Sequence, residues 1–351
     1  GLGDVYKRQA LMSRLLWLLW LLLALPGRAD CLSEGPLPGV NLAGAEFKAT
    51  ALPGRINVDF VYPSNETLDY FRGKGMRLLR LPVTWERLQP ETGGALSPLH
   101  LGELQRLARY SALHDLCLLV DLHNFGKRQG LPLDQAPQAA DALSDLWLRL
   151  AGALAEQQDH VALGLMNEPA LIGRSQWVSL AGEVLTRLRE AKVANLVVVS
   201  GGNWSGAHAW FSGSAAQPSN ADLLAGWRDP LGRSVIELHQ YADSDYSGTH
   251  NDCIDPQKMR TILRAAGEWG SQHGQRLLLG EFGVPASSGC LAVLDVMLAE
   301  LTRAPWMGWA YWAGGPWWGS YPFSVQPSGD GQDKPQMAVL ADYLAPAAGS
   351  Q

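Results

Sequence analysis

The sequence predicts a single domain of the α/β class, a closed (β/α)8 TIM barrel. Short apolar runs typical of buried parallel strands recur roughly every 30 to 45 residues, and there are eight of them. Several segments between the runs carry apolar residues at three- and four-residue spacing, the pattern of an amphipathic helix. Eight such units favour a barrel over a doubly wound sheet, which more often has about five to seven strands.

Each predicted strand is a run of apolar residues bounded by polar or small residues. In chain order, the predicted strands cover residues 40–43, 76–80, 116–122, 161–166, 196–199, 235–238, 277–279 and 307–311. The clearest helical patterns lie between strands, in segments 99–113, 139–154 and 178–189. No linker or low-complexity segment divides this alternation, so one domain is predicted.

The first part of the chain is predicted to lie outside the folded domain. Residues 1–11 are interpreted as a cloning or library scar, because Met12 begins a typical secretory signal. A short basic start, an apolar core over 15–25 and a small-residue cleavage pattern ending at Ala29 follow. Because this core is short for a bilayer span, a signal peptide over 12–29 is favoured over an anchor.

The remaining residues, 30–351, are long enough for one barrel, with a frayed tail expected after Ala345. A signal peptide predicts a secreted protein, extracellular or periplasmic. The net charge of −6 and the pI of about 5.8 argue against nucleic acid or an anionic membrane surface as a partner. Nothing in the sequence indicates an oligomer, and a monomer is expected.

Export permits disulfides, and the chain has four cysteines. Cys117 lies within an apolar run and is expected to be a free buried thiol. Cys253 and Cys290 are expected in loops after predicted strands, and they are the predicted disulfide pair. The partner of Cys31 stays open. The spacing of the four cysteines fits neither a zinc cluster nor a redox motif.

Polar and aromatic side chains collect at the C-terminal ends of the predicted strands. Two of the apolar runs end in a glutamate, Glu168 and Glu281. In a parallel barrel these strand ends meet at one face, where the active sites of such barrels lie. The other residues at these ends include Arg80, His123, Asn167, His239, Tyr241 and Trp312. A purely structural origin would scatter such residues over both ends, so the sequence predicts an active site at this face.

Hydrolysis of a glycosidic bond requires two carboxyl groups at one pocket, and two glutamates directed into the same pocket meet that requirement. One must be a general acid with a raised pKa and the other a nucleophile with a depressed pKa, and the residues alone do not say which is which. Arg80 is expected to hydrogen-bond a carboxylate and keep it ionised. His123 and His239 are expected to contact sugar hydroxyls rather than a metal. The Asn167 amide is expected to reach a sugar 2-hydroxyl, and the Tyr241 hydroxyl to steady the nucleophile.

Six motifs in order along the chain carry a family resemblance. They are Gly39-Val40-Asn41-Leu42-Ala43-Gly44, Leu79-Arg80-Leu81-Pro82, Val120-Asp121-Leu122-His123-Asn124, Leu165-Met166-Asn167-Glu168-Pro169, Leu279-Gly280-Glu281-Phe282-Gly283 and Trp309-Ala310-Tyr311-Trp312-Ala313. The chain resembles the endo-β-1,4-glucanases (cellulases) of glycoside hydrolase family 5. Segment 238–253 narrows the resemblance to a subgroup of secreted fungal and bacterial endoglucanases, as does Trp317-Trp318-Gly319.

This resemblance implies a double-displacement mechanism with net retention, with Glu168 as acid/base and Glu281 as nucleophile. It implies a β-glucan polysaccharide or oligosaccharide substrate, no cofactor and no metal. The predicted Cys253–Cys290 bridge is also similar to a disulfide of that subgroup. The residues that it places around the −1 sugar are Arg80, His123, Asn167, His239, Tyr241 and Trp312.

Tryptophans after strand ends are candidate sugar platforms, because an indole face stacks on the flat faces of β-1,4-glucan. The candidates are Trp85, Trp204, Trp210, Trp317 and Trp318, of which two or three are expected to serve. Within the same fold, a β-mannanase, a mixed-linkage glucanase or a xyloglucanase stays open as an alternative. A non-catalytic carbohydrate-binding protein would be expected to lack one glutamate or Arg80, and the sequence has all three.

Overall fold

The structure, a computed structural model, describes Cys31 and residues 36–344. The predicted scar, the predicted signal peptide and the predicted frayed tail after Ala345 lie outside the described residues. Eight parallel strands close into a barrel in which each strand pairs with the next along the chain and the eighth pairs with the first. The strands are β1 Leu37–Leu42, β2 Leu78–Val83, β3 Cys117–Leu122, β4 Val161–Gly164, β5 Val197–Ser200, β6 Ser234–His239, β7 Leu277–Phe282 and β8 Trp306–Gly314.

The predicted (β/α)8 barrel is therefore confirmed, with each of the eight predicted strands overlapping an observed one. The helices are α1 Asn65–Gly73, α2 Trp85–Leu88, α3 Pro98–Leu113, α4 Ala139–Ala153, α5 Arg174–Glu190, α6 Asn220–Leu224, α7 Pro256–His273, α8 Ser288–Leu301 and α9 Pro335–Ala341. Short 3-10 segments occupy Ala155–His160, Asn203–Ser205 and Ala207–Ala209. A two-stranded antiparallel ribbon pairs Lys127–Arg128 with Leu131–Pro132.

Local sequence signals set the helix ends, as α7 illustrates. The Asp255 side chain accepts hydrogen bonds from the first backbone N–H groups of α7, and Pro256 occupies the first turn, where no N–H is needed. The helix stops at Gly274, whose φ of 65° is a left-handed conformation that glycine adopts without a steric cost. Helix boundaries of this kind follow from the residues themselves.

The barrel interior changes from apolar to charged toward the C-terminal ends of the strands. Alternate residues of a strand face the same side, so Leu78 and Arg80 of β2 both face inward, as do Val235 and Glu237 of β6. The apolar inward residues form a core cluster of their own, which includes Leu37, Leu78, Cys117, Leu119, Ala162, Leu196, Val198, Val235, Leu278 and Ala310. A second, larger apolar cluster fills the layer between strands and helices.

The expectation that Cys117 is a free thiol is wrong. Cys117 is buried, as its apolar run predicts, but it forms a disulfide with Cys31. The Cys31 backbone N–H donates to the Asp159 carbonyl at 2.9 Å, which holds Cys31 at the N-terminal end of the barrel. We call this bond the floor disulfide. It joins residues 86 positions apart in the chain, a pairing that no local pattern records.

The predicted disulfide between Cys253 and Cys290 is present, and we call it the loop disulfide. Cys253 lies in the loop after β6, as expected, but Cys290 lies in the first turn of α8 rather than in a loop. The Ser287 hydroxyl caps that turn by accepting from the Cys290 backbone N–H. Among the described residues, no helix is both long and apolar enough to cross a membrane.

Candidate active site

The C-terminal ends of the strands bring the sequence-predicted site residues into one cluster. Arg80 lies on β2, His239 on β6, Glu281 on β7 and Trp312 on β8, while His123, Asn167, Glu168 and Tyr241 follow directly after β3, β4 and β6. Hydrogen bonds or ring contacts connect each of these residues to at least one other residue of the cluster.

Arg80 lies at the centre of the cluster and is completely buried. Its Nε donates to Glu237 Oε1 at 2.8 Å, and one terminal nitrogen donates to Glu281 Oε1 at 2.9 Å. The other terminal nitrogen donates to Asn167 Oδ1 at 2.8 Å and lies 3.2 Å from Asp121 Oδ1. A planar guanidinium with fixed donors holds several acceptors in one geometry, which a lysine would not do. Arg80 therefore sets the relative positions of side chains from three strands and from the segment after β4.

Glu237 and Asp121 are two buried carboxylates that our sequence analysis did not select. Burial opposes the ionisation of Glu237, but the charges of Arg80 and His239 outweigh it and lower its pKa to about 2. A signal was present in the sequence, because each acid interrupts a run of apolar residues that reads as a buried strand. A charge in such a run must be paired when it is buried.

Gly280 leaves room for the Glu237 carboxylate beside the catalytic candidates. A Cβ at position 280 would lie 1.7 Å from Glu237 Oε1, far inside the contact distance of a carbon and an oxygen. Asn41 adds a further constraint on this strand, since its Nδ2 donates to the Gly280 carbonyl at 2.9 Å and its Oδ1 accepts from Arg80 at 2.8 Å. The backbone of β7 is thereby tied to the position of Arg80.

Both carboxylate oxygens of Glu281 are held by donors. Arg80 donates to Oε1, and the Tyr241 hydroxyl donates to Oε2 at 2.8 Å. Burial raises the pKa of Glu281, and the charges of His239 and Arg80 oppose that rise without cancelling it, so the pKa of this carboxyl is not depressed as expected for a nucleophile. Burial and the Glu281 charge raise the pKa of Tyr241 well above its usual value, so the phenol remains a donor.

Glu168 lies on the opposite side of the cluster and has a different environment. Its backbone φ of 40° is left-handed, a conformation that is strained for a residue with a Cβ and that is often found at functional sites. Its carboxylate accepts one hydrogen bond, from His239 Nδ1 at 2.7 Å. One carboxylate oxygen of Glu168 lies within 4.8 Å of one of Glu281. The two predicted glutamates are therefore neighbours across a narrow gap.

His239 lies between three carboxylates. Its Nδ1 bonds Glu168 and lies 3.8 Å from Glu281 Oε2, while its Nε2 lies 3.3 Å from Glu237 Oε1. Burial disfavours the cation, but the charge of Glu281 and hydrogen bonds to Glu168 and Glu237 raise its pKa to about 10. Both ring nitrogens face carboxylate oxygens, an environment that favours the doubly protonated imidazole, which donates from both nitrogens.

His123 is held by an acid and by an aromatic ring. Its Nδ1 hydrogen-bonds Asp121 Oδ2 at 2.8 Å, and its ring stacks on Trp312 with an interplanar angle of 14°. The Nδ2 of Asn167 lies 3.4 Å from the other ring nitrogen of His123. Asn167, His123 and Trp312 thus form a continuous polar and aromatic wall beside the glutamate pair.

A cleft of about 500 Å³ opens at the Glu168 side of this cluster. Trp204 lines it and is 56% exposed, and Trp317 is 39% exposed, so both are accessible as the platform prediction requires. Trp318 is half-buried and stacks on Tyr321. The remaining lining residues are Glu168, Asn203, Gly206, His208, His239, Gln240, Tyr241, Asp245, Tyr246 and Ser247.

Two of the tryptophan platform candidates are wrong. Trp85 and Trp210 are both completely buried, so neither can stack on a sugar. Trp85 opens α2 and its indole nitrogen donates to Gln89, while Trp210 packs against Trp269 in the helical layer. The position of a tryptophan after a strand does not reveal on which side of its loop the ring packs.

A second cluster of acids with a histidine lies beside the cleft, made of Asp243, Asp245 and His250. Asp243 is buried, and its two oxygens accept from the backbone N–H groups of Gly248, Thr249 and His250 at 3.0 to 3.1 Å. Asp243 therefore organises the loop after β6, and its hydrogen-bonding capacity is used within that loop.

Comparisons with known proteins bear on this geometry. A family model described as Cellulase (glycosyl hydrolase family 5) matches residues 40–316. The chain is similar to endo-beta-1,4-glucanase B of Emericella nidulans, with 29% identity over 309 residues that cover 87% of this chain and 90% of that protein.

Two solved structures are also similar to the chain. A crystal structure of an endo-beta-1,4-glucanase from Xanthomonas axonopodis pv. citri superposes with a TM-score of 0.84 at 39% identity, covering 89% of this chain and 99% of that one. A structure of XacCel5A in complex with cellopentaose has the same TM-score and identity and covers 87% of this chain and 98% of that one.

Proposed function

The chain belongs to glycosyl hydrolase family 5 and is a glycoside hydrolase of the endo-β-1,4-glucanase type, and on this premise we propose a secreted enzyme that retains anomeric configuration. The observation that carries the stereochemical proposal is the separation of at most 4.8 Å between the closest oxygens of Glu168 and Glu281. Retaining pairs lie about 5 Å apart, whereas inverting pairs need about 6.5–9.5 Å to admit a water molecule.

In the proposed first step, Glu281 is the nucleophile. Its carboxylate attacks the anomeric carbon as the bond from that carbon to the glycosidic oxygen breaks, and Glu168 gives its proton to that oxygen. The hydrogen bonds from Arg80 and Tyr241 hold the Glu281 carboxylate ionised and oriented for the attack. A covalent glycosyl-enzyme and a shortened glucan result.

In the proposed second step, Glu168 acts as a base. It takes a proton from water, whose oxygen attacks the anomeric carbon and displaces Glu281 as a carboxylate. Two inversions give net retention. His239 supports this change of role because it can keep its hydrogen bond to Glu168 when that carboxylate is ionised.

We further infer that the substrate is an unbranched β-1,4-linked glucan. The exposed indoles of Trp204 and Trp317 near the site suit the flat faces of such a chain. The similar XacCel5A was solved with cellopentaose, which is a β-1,4-linked glucan oligosaccharide. The two disulfides support secretion, since disulfides persist in oxidising compartments.

The first test measures reducing-end release on carboxymethylcellulose, mixed-linkage glucan, xyloglucan and mannan. The unbranched glucans are expected to be cleaved fastest, and faster release from mannan would overturn the substrate proposal. Proton NMR of the first product tests the stereochemistry, and an initial α-anomer would refute retention.

The second test addresses the assignment of the two glutamates. Glu281→Gln is expected to lower turnover by at least about 10³-fold while oligosaccharide binding, measured by calorimetry, persists. Glu66→Gln, an exposed position in α1, is the matched control and is expected to keep full activity. Substantial turnover by the Glu281→Gln variant would refute the assignment of Glu281 as the nucleophile.

A further inference from the structure

Glu237 is a buried acid to which the two proposed steps give no role, although it contacts the active-site cluster on two sides. Its Oε1 accepts from Arg80 Nε at 2.8 Å and bonds His239 Nε2 at 3.3 Å. Alternate residues of a strand face the same side, so Glu237 and His239 of β6 both point into the barrel. The other ring nitrogen of His239 bonds Glu168 at 2.7 Å. An unbroken series of hydrogen bonds therefore runs from the Arg80 guanidinium to the Glu168 carboxylate.

The charge balance of the cluster calls for a second cation beside Arg80. Three buried carboxylates lie within 3.2 Å of the guanidinium, those of Asp121, Glu237 and Glu281. One guanidinium does not neutralise three acids, and an uncompensated buried charge is costly. Protonated His239 supplies the additional positive charge, and it lies against Glu237.

Glu237 also fixes which nitrogen of His239 carries a proton. Among the described residues, the charged groups within 4 Å of the ring nitrogens are the carboxylates of Glu168, Glu237 and Glu281. A carboxylate only accepts, so the Glu237 oxygen keeps a proton on Nε2 whether the ring is neutral or charged. Nδ1 is thereby left facing Glu168, and in the cation its proton is donated to that carboxylate.

We propose that Glu237 is a positioning residue for the acid/base Glu168 and that it acts through His239. It holds the imidazole as a cation whose Nδ1–H is directed at Glu168. The carboxylate that remains once Glu168 has given its proton to the glycosidic oxygen is then stabilised by a charged hydrogen bond. This inference rests on the proposed function, in which Glu168 is that acid. Because its side chain is 1% exposed, Glu237 assists the proton transfer without contacting the sugar.

The first test varies how much the leaving group needs a proton. Glu237→Gln removes the charge but keeps an oxygen that can accept from Arg80 and His239. A weakened acid slows the departure of a sugar, which needs a proton, more than that of dinitrophenolate, which leaves as a stable anion. The kcat/KM of this variant is therefore expected to fall at least about tenfold further on cellotetraose than on 2,4-dinitrophenyl β-cellobioside.

Asp121→Asn is the matched comparison, because it removes a buried acid from the same guanidinium on the side of His123. It is expected to lower kcat/KM on the two substrates by the same factor, within about twofold. Equal losses on both substrates in Glu237→Gln would overturn the inference, because a purely structural defect acts on both alike.

The second test follows the protonation of the His239 ring by NMR of the imidazole nitrogens, with the signals assigned from a His239→Gln spectrum. In the wild type, both nitrogens are expected to carry protons at about pH 8, since the pKa of His239 is about 10. Loss of the facing charge in Glu237→Gln is expected to lower that pKa by about 1–3 units, and Asp121→Asn by less than about one unit. A neutral His239 in the wild type at this pH would overturn the inference without any variant.

Glu168→Gln separates failure of this inference from failure of the proposed function. Loss of the acid itself must affect cellotetraose more than the dinitrophenyl substrate. Equal losses on both substrates in Glu168→Gln would refute the acid assignment, and this inference with it. Unequal losses in Glu168→Gln, with equal losses or an unshifted His239 pKa in Glu237→Gln, would overturn this inference alone.

Discussion

The hydrogen bond from Tyr241 to Glu281 makes the strongest single prediction. Replacing Tyr241 with phenylalanine removes one donor, at 2.8 Å, from a carboxylate that is almost fully buried. A hydrogen bond to a charged group contributes about 1.5–3 kcal/mol, and one pKa unit corresponds to about 1.36 kcal/mol. The donor favours the ionised carboxylate, so its loss is expected to raise the pKa of Glu281 by about 1–2 units.

The assay is the pH dependence of kcat/KM, whose acid limb reports the ionisation of an essential base in the free enzyme. The proposed nucleophile must be ionised, so activity is lost as the pH falls through the pKa of Glu281. The acid limb of Tyr241→Phe is therefore expected to move toward higher pH by about 1–2 units. At pH values well above the acid limb, the variant is expected to recover a larger share of the wild-type kcat/KM.

Tyr311→Phe is the matched control for this experiment. Tyr311 is also buried, but its hydroxyl bonds the backbone of Val284 rather than a carboxylate. The control is expected to lose stability without a shift of the acid limb. An unshifted limb in Tyr241→Phe, or an equal shift in both variants, would refute the assignment of Tyr241 to the ionisation of Glu281.

Three further substitutions test the scaffold of the site. Gly280→Ala is expected to abolish turnover and lower the melting temperature because its Cβ would lie 1.7 Å from a Glu237 oxygen; a fully active variant would contradict this. Replacing both cysteines of the floor disulfide is expected to reduce the free energy of unfolding in urea by about 4.6 kcal/mol. Replacing both cysteines of the loop disulfide is expected to reduce it by about 3.8 kcal/mol. The first loss is larger because the floor disulfide closes a loop of 86 residues and the loop disulfide one of 37. The reverse order would contradict the loop-length argument. Ser205→Ala leaves the Gly201 N–H and the Glu237 carbonyl without the Ser205 hydroxyl, so the free energy of unfolding in urea is expected to fall by about 2 kcal/mol. The KM for cellotetraose is expected to rise. An unchanged KM would show that Ser205 does not fix the position of Trp204.

The barrel was predictable because its signals are periodic and local. A buried parallel strand is an apolar run, and the polar residue that ends it lies at the active face of a barrel, as Glu281 after β7 illustrates. Glu237 lies inside its strand and was not noticed, whereas Asp121 was noticed near the end of β3 and in a family motif but was given no role. A rule that every charge inside an apolar run needs a partner would have found both acids and assigned them to Arg80.

Features that depend on packing between distant segments were not predictable in this way. The burial of Cys117 followed from its neighbours, but its bond to Cys31 joins residues 86 positions apart in the chain. Trp85 and Trp204 both follow strand ends, yet the first is buried and the second is exposed. The difference lies in the backbone of each segment, a helical turn at Trp85 and a left-handed turn at Trp204, and residue type alone specifies neither.

The environments of the two glutamates give a physical reason for the proposed division of roles, which the residues alone left open. Glu281 accepts from Arg80 and Tyr241, so protonating it would weaken two hydrogen bonds inside the buried cluster. Among the described residues, Glu168 accepts only from His239, and its side chain is more exposed to the cleft, at 15% against 5% for Glu281. A carboxyl group that faces the cleft can exchange its proton with a leaving group and then with water. Once Glu281 is esterified, its charge disappears, and Glu168 loses an anionic neighbour at the step where it must act as a base. The asymmetry thus favours Glu168 as the group that moves protons and Glu281 as the group that forms the covalent bond.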